Sequence, residues 1–165
     1  MKKQILSFKY AVKGVWQTIK SESHMRFHMV AGFYVILFSF FYSFSAVQWA
    51  LLIFLIASVL AAETINTCIE ELCNLTADRF EPLVKVAKDA AAGAVLIFAL
   101  AAAVVAGIFF WNPPVISDIF VFFTNNILML VLLTVSSLLS VIFVWLGPIG
   151  IKAKLRSLKH KLIKN

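Results

Sequence analysis

In the stretch AAETINTCIEELCN, residues 61 to 74, Glu63, Asn66, Glu70 and Asn74 recur three, four and four residues apart. On an α-helix these positions fall within an arc of about 80°. Glu63 and Glu70 lie about 10 Å apart along the axis, so Glu63 sits one to two turns deeper. The cost of such a placement is high, because the preceding run, residues 47 to 62, has only Gln48 and Ser58 as polar side chains. An ionised carboxylate at that depth loses much of its hydration. Lys88 and Asp89 begin the next apolar run, and Glu22 precedes the first. Carboxylates, an amide, an ammonium and an aspartate gathered at one membrane face suit hydrated Mg²⁺ and phosphate. Carboxylates hold Mg²⁺, which bridges phosphate oxygens. A lysine neutralises a transferring phosphoryl group, and a carboxylate can accept a hydroxyl proton. The competing reading is that these groups pair with one another inside a helix bundle. The sequence has no P-loop and no kinase Gly-rich loop.

The elements that must carry these residues are apolar helices. Of the 165 residues, 62% are hydrophobic, and the mean hydropathy is +0.94. Soluble domains are typically about half apolar. The apolar residues form runs at 27–44, 47–65, 90–111 and 119–146, each near the roughly 20 residues that span a bilayer as a helix. Open β-structure is excluded in lipid, where its backbone goes unsatisfied. The expected fold is an all-α membrane protein. It has an N-terminal interfacial amphipathic helix, a three-helix transmembrane core and a fourth, C-terminal transmembrane helix. In the interfacial helix, residues 4–21, Ile5, Phe8, Val12, Val15, Trp16 and Ile19 share a face. Lys2, Lys9, Lys13 and Lys20 line its edge and reach toward head groups.

Charge sets the orientation. All 15 Lys and Arg fall within 2–26, 79–88 and 152–164. Basic loops remain cytoplasmic, so both termini and the 74–88 connection are expected on that side. The net charge of +7 reads as attraction to the bilayer surface rather than to nucleic acid. The N-terminus has no apolar core of a cleavable signal. Trp49, Trp111 and Trp145 stand near span ends as interfacial anchors. The run starting at Ala90 is rich in Ala and Gly, which suits close helix packing. Cys68 and Cys73 read as packing residues. His24 and His28, at i and i+4, lack a third metal ligand and read as interfacial hydrogen-bonding groups.

Three stretches carry a family resemblance: FKYAVKGVWQTIKSESHMRFH (8–28), ETINTCIEE (63–71) and KVAKDAAAGAVL (85–96). In this order and spacing they resemble the prokaryotic diacylglycerol kinases, a family that includes the undecaprenol kinases. The resemblance covers roughly residues 3–111. It implies a small trimeric membrane enzyme that transfers phosphate from Mg·ATP to a lipid hydroxyl in the bacterial inner membrane. It implies Glu63 as the base facing the hydroxyl, with Asn66 holding the reacting groups. It implies Glu22 and Glu70 as ligands of the Mg²⁺ that accompanies ATP, Lys88 and Asp89 as nucleotide contacts, and Tyr10 against the nucleotide. Arg26 matches a position near the entrance for the lipid.

The chain also departs from that family. Asn74 stands where the family usually has Asp, His24 where Asn is common, and Ala92 where some diacylglycerol-specific members have Ser. Lys3 is a weak match for an expected basic residue. The expected division is a kinase-like membrane domain at 1–111 and an extra helix with a basic tail at 112–165. Nothing ionisable lies between Ile119 and Leu146, so a chain ending after Trp111 is expected to insert, oligomerise and work. The favoured acceptor is undecaprenol, with diacylglycerol as the alternative. A small proton-coupled transporter or a non-catalytic adaptor are the other classes considered. A transporter leaves Lys88 and Asp89 unexplained.

Overall fold

The computed structural model describes residues 2–76 and 82–164; Arg79, part of the expected basic connection, lies outside them. All the described elements are α-helices: α1 Lys2–Ser21, α2 Ser23–Ser39, α3 Ala46–Thr76, α4 Pro82–Phe110, α5 Pro113–Asn125 and α6 Ile127–Lys164. Three of them, over Ala46–Leu75, Pro82–Phe110 and Ile127–Ser157, are long and apolar enough to cross a membrane. The chain is an all-α membrane protein.

The spans expected at 27–44 and 119–146 take a different form. The helix through the first run, α2, has 17 residues and stops at Ser39. That is the short end of the range of about 17 to 25 residues that spans the hydrocarbon. The Ser39 hydroxyl turns back onto the Val35 carbonyl at 2.6 Å. Tight bonds from the amides of Phe41 to Phe38 O and of Tyr42 to Ser39 O then close the helix. The second run is cut in two at Asn126, which lies between α5 and α6. Asn126 accepts from the Leu130 amide at 3.1 Å as α6 begins, and Asn is among the residue types that favour a helix start.

Other helix ends follow directly from sequence chemistry. Ser45 and Gln48 form a reciprocal cap before α3. The Gln48 amide donates to Ser45 Oγ at 3.3 Å, and the Ser45 amide donates to Gln48 Oε1 at 2.9 Å. α4 stops before Asn112, whose carbonyl accepts from Ile116 at 3.0 Å. Pro113 then takes the first position of α5, where its missing N–H costs nothing.

By Cα proximity the chain forms two compact units, Met1–Val30 with Asn126–Asn165, and Ala31–Asn125. These do not follow the 1–111 and 112–165 division, because the first 30 residues group with the C-terminal 40. In the first unit α1 packs on α6. In the second, α3 and α4 form the main pair, joined by the short connection after Thr76. Gly32 of α2 lies close to α3. A Cβ on Gly32 would come within 2.9 Å of Ile56 Cγ2, so only glycine allows that approach. At the end of this unit away from the α3–α4 connection, Phe38, Phe41, Tyr42, Phe44, Phe109, Phe110, Phe122 and Phe123 pack ring on ring. Tyr42 Oη donates to the Phe110 carbonyl at 2.9 Å there. Ala91 and Val95 are the buried residues of α4.

Candidate functional site in the second unit and at the corner of α1 and α2

α3 is apolar through its first four turns and then carries the polar stripe without breaking. Glu63 is 3% exposed and Asn66 9%. Thr67 beside them is also buried, and its hydroxyl donates to the Glu63 main-chain carbonyl at 3.0 Å. That bond satisfies Thr67 locally, on the main chain of Glu63 rather than on its carboxylate. Asn66 Nδ2 donates to Glu70 Oε1 at 3.3 Å, along the ridge that i and i+4 share. Asn66 Oδ1 is buried with no hydrogen-bond partner. Unpartnered buried amide oxygens are rare and costly. This one is a hard oxygen donor, held in place by the contact its own nitrogen makes with Glu70. Glu70 is half-buried.

The stripe continues toward the α3–α4 connection. Lys88, in the second turn of α4, donates from Nζ to Asn74 Oδ1 at 2.7 Å. The family departure at Asn74 is therefore the residue that fixes the lysine. Asp89 is exposed next to it. Glu63, Asn66, Glu70, Asn74, Lys88 and Asp89 thus share the α3–α4 pair, and the buried members lie deeper than the exposed ones. Among the described residues no three His, Cys, Asp or Glu side chains cluster as a metal site. Mg²⁺ does not need such a cage, since it keeps several waters and uses one or two carboxylates plus phosphate oxygens. The Glu70 carboxylate beside the amide oxygen of Asn66 is a donor set of that kind. These residues fit Mg²⁺ brought in with a phosphate compound.

In the first unit, Glu22 is the single residue between α1 and α2. Its amide donates to Thr18 O at 2.8 Å, and its carbonyl accepts from the Arg26 amide at 3.4 Å. It closes one helix and opens the next, and a carboxylate suits the positive end of α2. Glu22 is half-buried and Tyr10 is exposed on α1. His24 is exposed and His28 half-buried on α2.

Arg26 is 5% exposed. Its Nη1 donates to the carbonyls of Ile19 at 2.9 Å and Lys20 at 3.2 Å, and its Nε to that of Val144 at 3.0 Å. The sequence reading of Arg26 as an entrance residue did not foresee the contact with α6. The signal was present as Gly147–Pro148 in WLGPIG, a dipeptide that breaks helices. Asn66's open oxygen and Thr67's local bond had no sequence signal, since both depend on what packs over α3.

The profile described as Prokaryotic diacylglycerol kinase matches residues 9–110. An undecaprenol kinase of Bacillus subtilis (strain 168) is 37% identical over 99 residues, 60% of this chain and 80% of that protein. A diacylglycerol kinase of Synechocystis sp. (strain ATCC 27184 / PCC 6803 / Kazusa) is 35% identical over 114 residues, 68% of this chain and 65% of that protein. The α3–α4 stripe and the corner at Glu22 both fall inside the matched segment, whereas α5 and α6 fall outside it.

Proposed function

We propose that this chain, which belongs to the prokaryotic diacylglycerol kinase family and is a lipid kinase, transfers the γ-phosphoryl group of ATP to a membrane alcohol. Undecaprenol is the favoured acceptor and diacylglycerol the alternative, matching the activities named for the two relatives. The observation that carries the reading is Glu63: a carboxylate 3% exposed on a membrane-spanning helix, one turn from the open oxygen of Asn66.

The lipid hydroxyl enters from the bilayer and loses its proton to Glu63 as its oxygen bonds to the γ-phosphorus. The bond from that phosphorus to the bridging oxygen breaks, ADP leaves with the electron pair, and Glu63 later releases its proton to water. Asn66 orients the reacting oxygens, Lys88 and Asp89 contact the nucleotide, and Tyr10 lies against it. Glu70 and, from its own unit, Glu22 are the residues assigned to the metal that accompanies ATP; Mg²⁺ would supply neutralising charge to the phosphate oxygens. Lys88 reaches the nucleotide by exchanging its bond to Asn74, which is exposed. Arg26 stands near the entrance of the lipid.

The enzyme works in the bacterial inner membrane as a homotrimer with both termini cytoplasmic. The basic residues at both ends support that orientation. Exposed apolar side chains on α3 and α4, such as Ile53, Phe54, Ile97, Leu100 and Val104, give lipid or neighbouring subunits a surface to cover. The test is incubation of purified protein in vesicles with Mg²⁺, γ-labelled ATP and either undecaprenol or diacylglycerol. Label in the prenyl phosphate fraction supports the favoured reading. Label only in phosphatidic acid selects the alternative, and no lipid labelling by folded protein overturns both.

A further inference from the structure

Arg26 donates to carbonyls that local covalent chemistry leaves without helical donors. Ile19 and Lys20 lie in the last turn of α1, which ends at Ser21, and the last four carbonyls of a helix have no partner within it. Val144 lies four residues before Pro148 in α6, and proline has no N–H to return to it. The same kink contains Gly147 at φ 61° and ψ 176°, a backbone region open essentially to glycine alone. A Cβ on Gly147 would come within 3.0 Å of both Cζ and Nη1 of Arg26. Gly147 is therefore needed twice, for the backbone turn and for the space the guanidinium fills. Its planar fork suits this task, since its donors diverge at fixed angles.

We propose that α6, which lies beyond the segment matched by the family, is part of the working unit. Its kink at Gly147–Pro148 is clamped by Arg26, and the clamp fixes the corner of α1 and α2 where Glu22 sits. Arg26 and Gly147 act as positioning residues. The link to Glu22 runs through the backbone, because the Glu22 carbonyl accepts from the Arg26 amide and the Glu22 amide donates to Thr18. One turn of chain separates the clamped guanidinium from the carboxylate assigned to Mg·ATP. A chain ending after Trp111 would leave Arg26 its carbonyl acceptors on α1 and take away the one on α6. The extension thus does more than add bulk. The consequence for nucleotide rests on the kinase reading of Glu22; the clamp itself does not.

The test uses the full chain in four forms: wild type, Arg26→Lys, Gly147→Ala and the double variant. Thermal denaturation reads the clamp. Each single variant lowers Tm, and the double variant falls by clearly less than the sum, because a Cβ at 147 presses on the guanidinium and already weakens the contact that Arg26→Lys removes. Additive shifts overturn the clamp. Kinetics with labelled ATP read the positioning. KM for Mg·ATP rises about tenfold in Arg26→Lys, the scale of losing a charged hydrogen bond. A folded Arg26→Lys protein with unchanged KM for Mg·ATP overturns the positioning of Glu22, as does a change confined to the lipid KM. If wild type labels no lipid, the kinase reading falls. The Tm cycle then decides the clamp, and Tm shifts on adding Mg·ATP to wild type and Arg26→Lys decide the positioning.

Discussion

Replacing Glu63 by Gln separates chemistry from binding. The side chain is 3% exposed, so a larger or smaller residue would disturb the packing of α3. Gln keeps the volume and removes the basic oxygen. The neighbouring bond from Thr67 Oγ1 goes to the Glu63 main-chain carbonyl at 3.0 Å, so the substitution leaves it intact. Asn66 and Glu70 keep their own contact at 3.3 Å, so the metal-binding side of the stripe is preserved. A general base contributes roughly 10² to 10⁴-fold, or about 2.7 to 5.4 kcal/mol of barrier at about 1.36 kcal/mol per decade. Glu63→Gln should therefore lose between two and four decades of kcat with little change in KM for Mg·ATP. The assay is label transfer from ATP to lipid in vesicles, with a nucleotide-induced Tm shift measured on the same preparation. Folded Glu63→Gln protein turning over within threefold of wild type would refute the base assignment. A lost nucleotide shift would mean that Glu63 belongs to the binding site instead.

Glu70→Ala removes the carboxylate that Asn66 holds, and KM for Mg·ATP should rise on the order of tenfold; equal nucleotide affinity in variant and wild type would remove Glu70 from the metal. Asn74→Asp turns the 2.7 Å contact with Lys88 into an exposed ion pair that competes with nucleotide for the lysine. It should lower kcat/KM for Mg·ATP about two- to fivefold, the range such a pair supports, and a rise in activity would show that the family acid works here too. Gly32→Ala places a Cβ 2.9 Å from Ile56 Cγ2 and should cost about 1 to 3 kcal/mol of overpacking. Thermal melts should show that loss, with partial recovery when Ile56→Ala is added; no recovery would mean that the close approach of α2 and α3 is relieved elsewhere.

Much of this molecule was legible before any folding was considered. The apolar runs, the arc of Glu63, Asn66, Glu70 and Asn74, and the three family stretches are properties of residue order alone. A 3.6-residue period fixes which side chains share a helix face. Local chemistry sets several ends once the helices are in place: Ser45 with Gln48 before α3, and Asn112 with Pro113 and Pro114 after α4. Other boundaries escaped. The run 119–146 reads as one apolar block because hydropathy sums over a window and barely registers Asn125–Asn126. The backbone registers it, since one residue leaving the helix there ends α5 and starts α6.

Burial and partnership were decided by tertiary structure. Sequence placed Glu63 deeper than Glu70, but that Asn66 keeps an open oxygen while Glu70 takes its nitrogen depends on how α3 is covered. Asn74 looked like a lost charge; its role as acceptor for Lys88, 14 residues on, exists because α3 and α4 fold back on each other. Arg26 and Val144 are 118 residues apart, and no periodicity connects them. The physical reason is the same in each case. A helix satisfies its own backbone, so its path can be read locally. A side chain buried against another helix, or a carbonyl orphaned by proline, finds its partner only when distant segments meet.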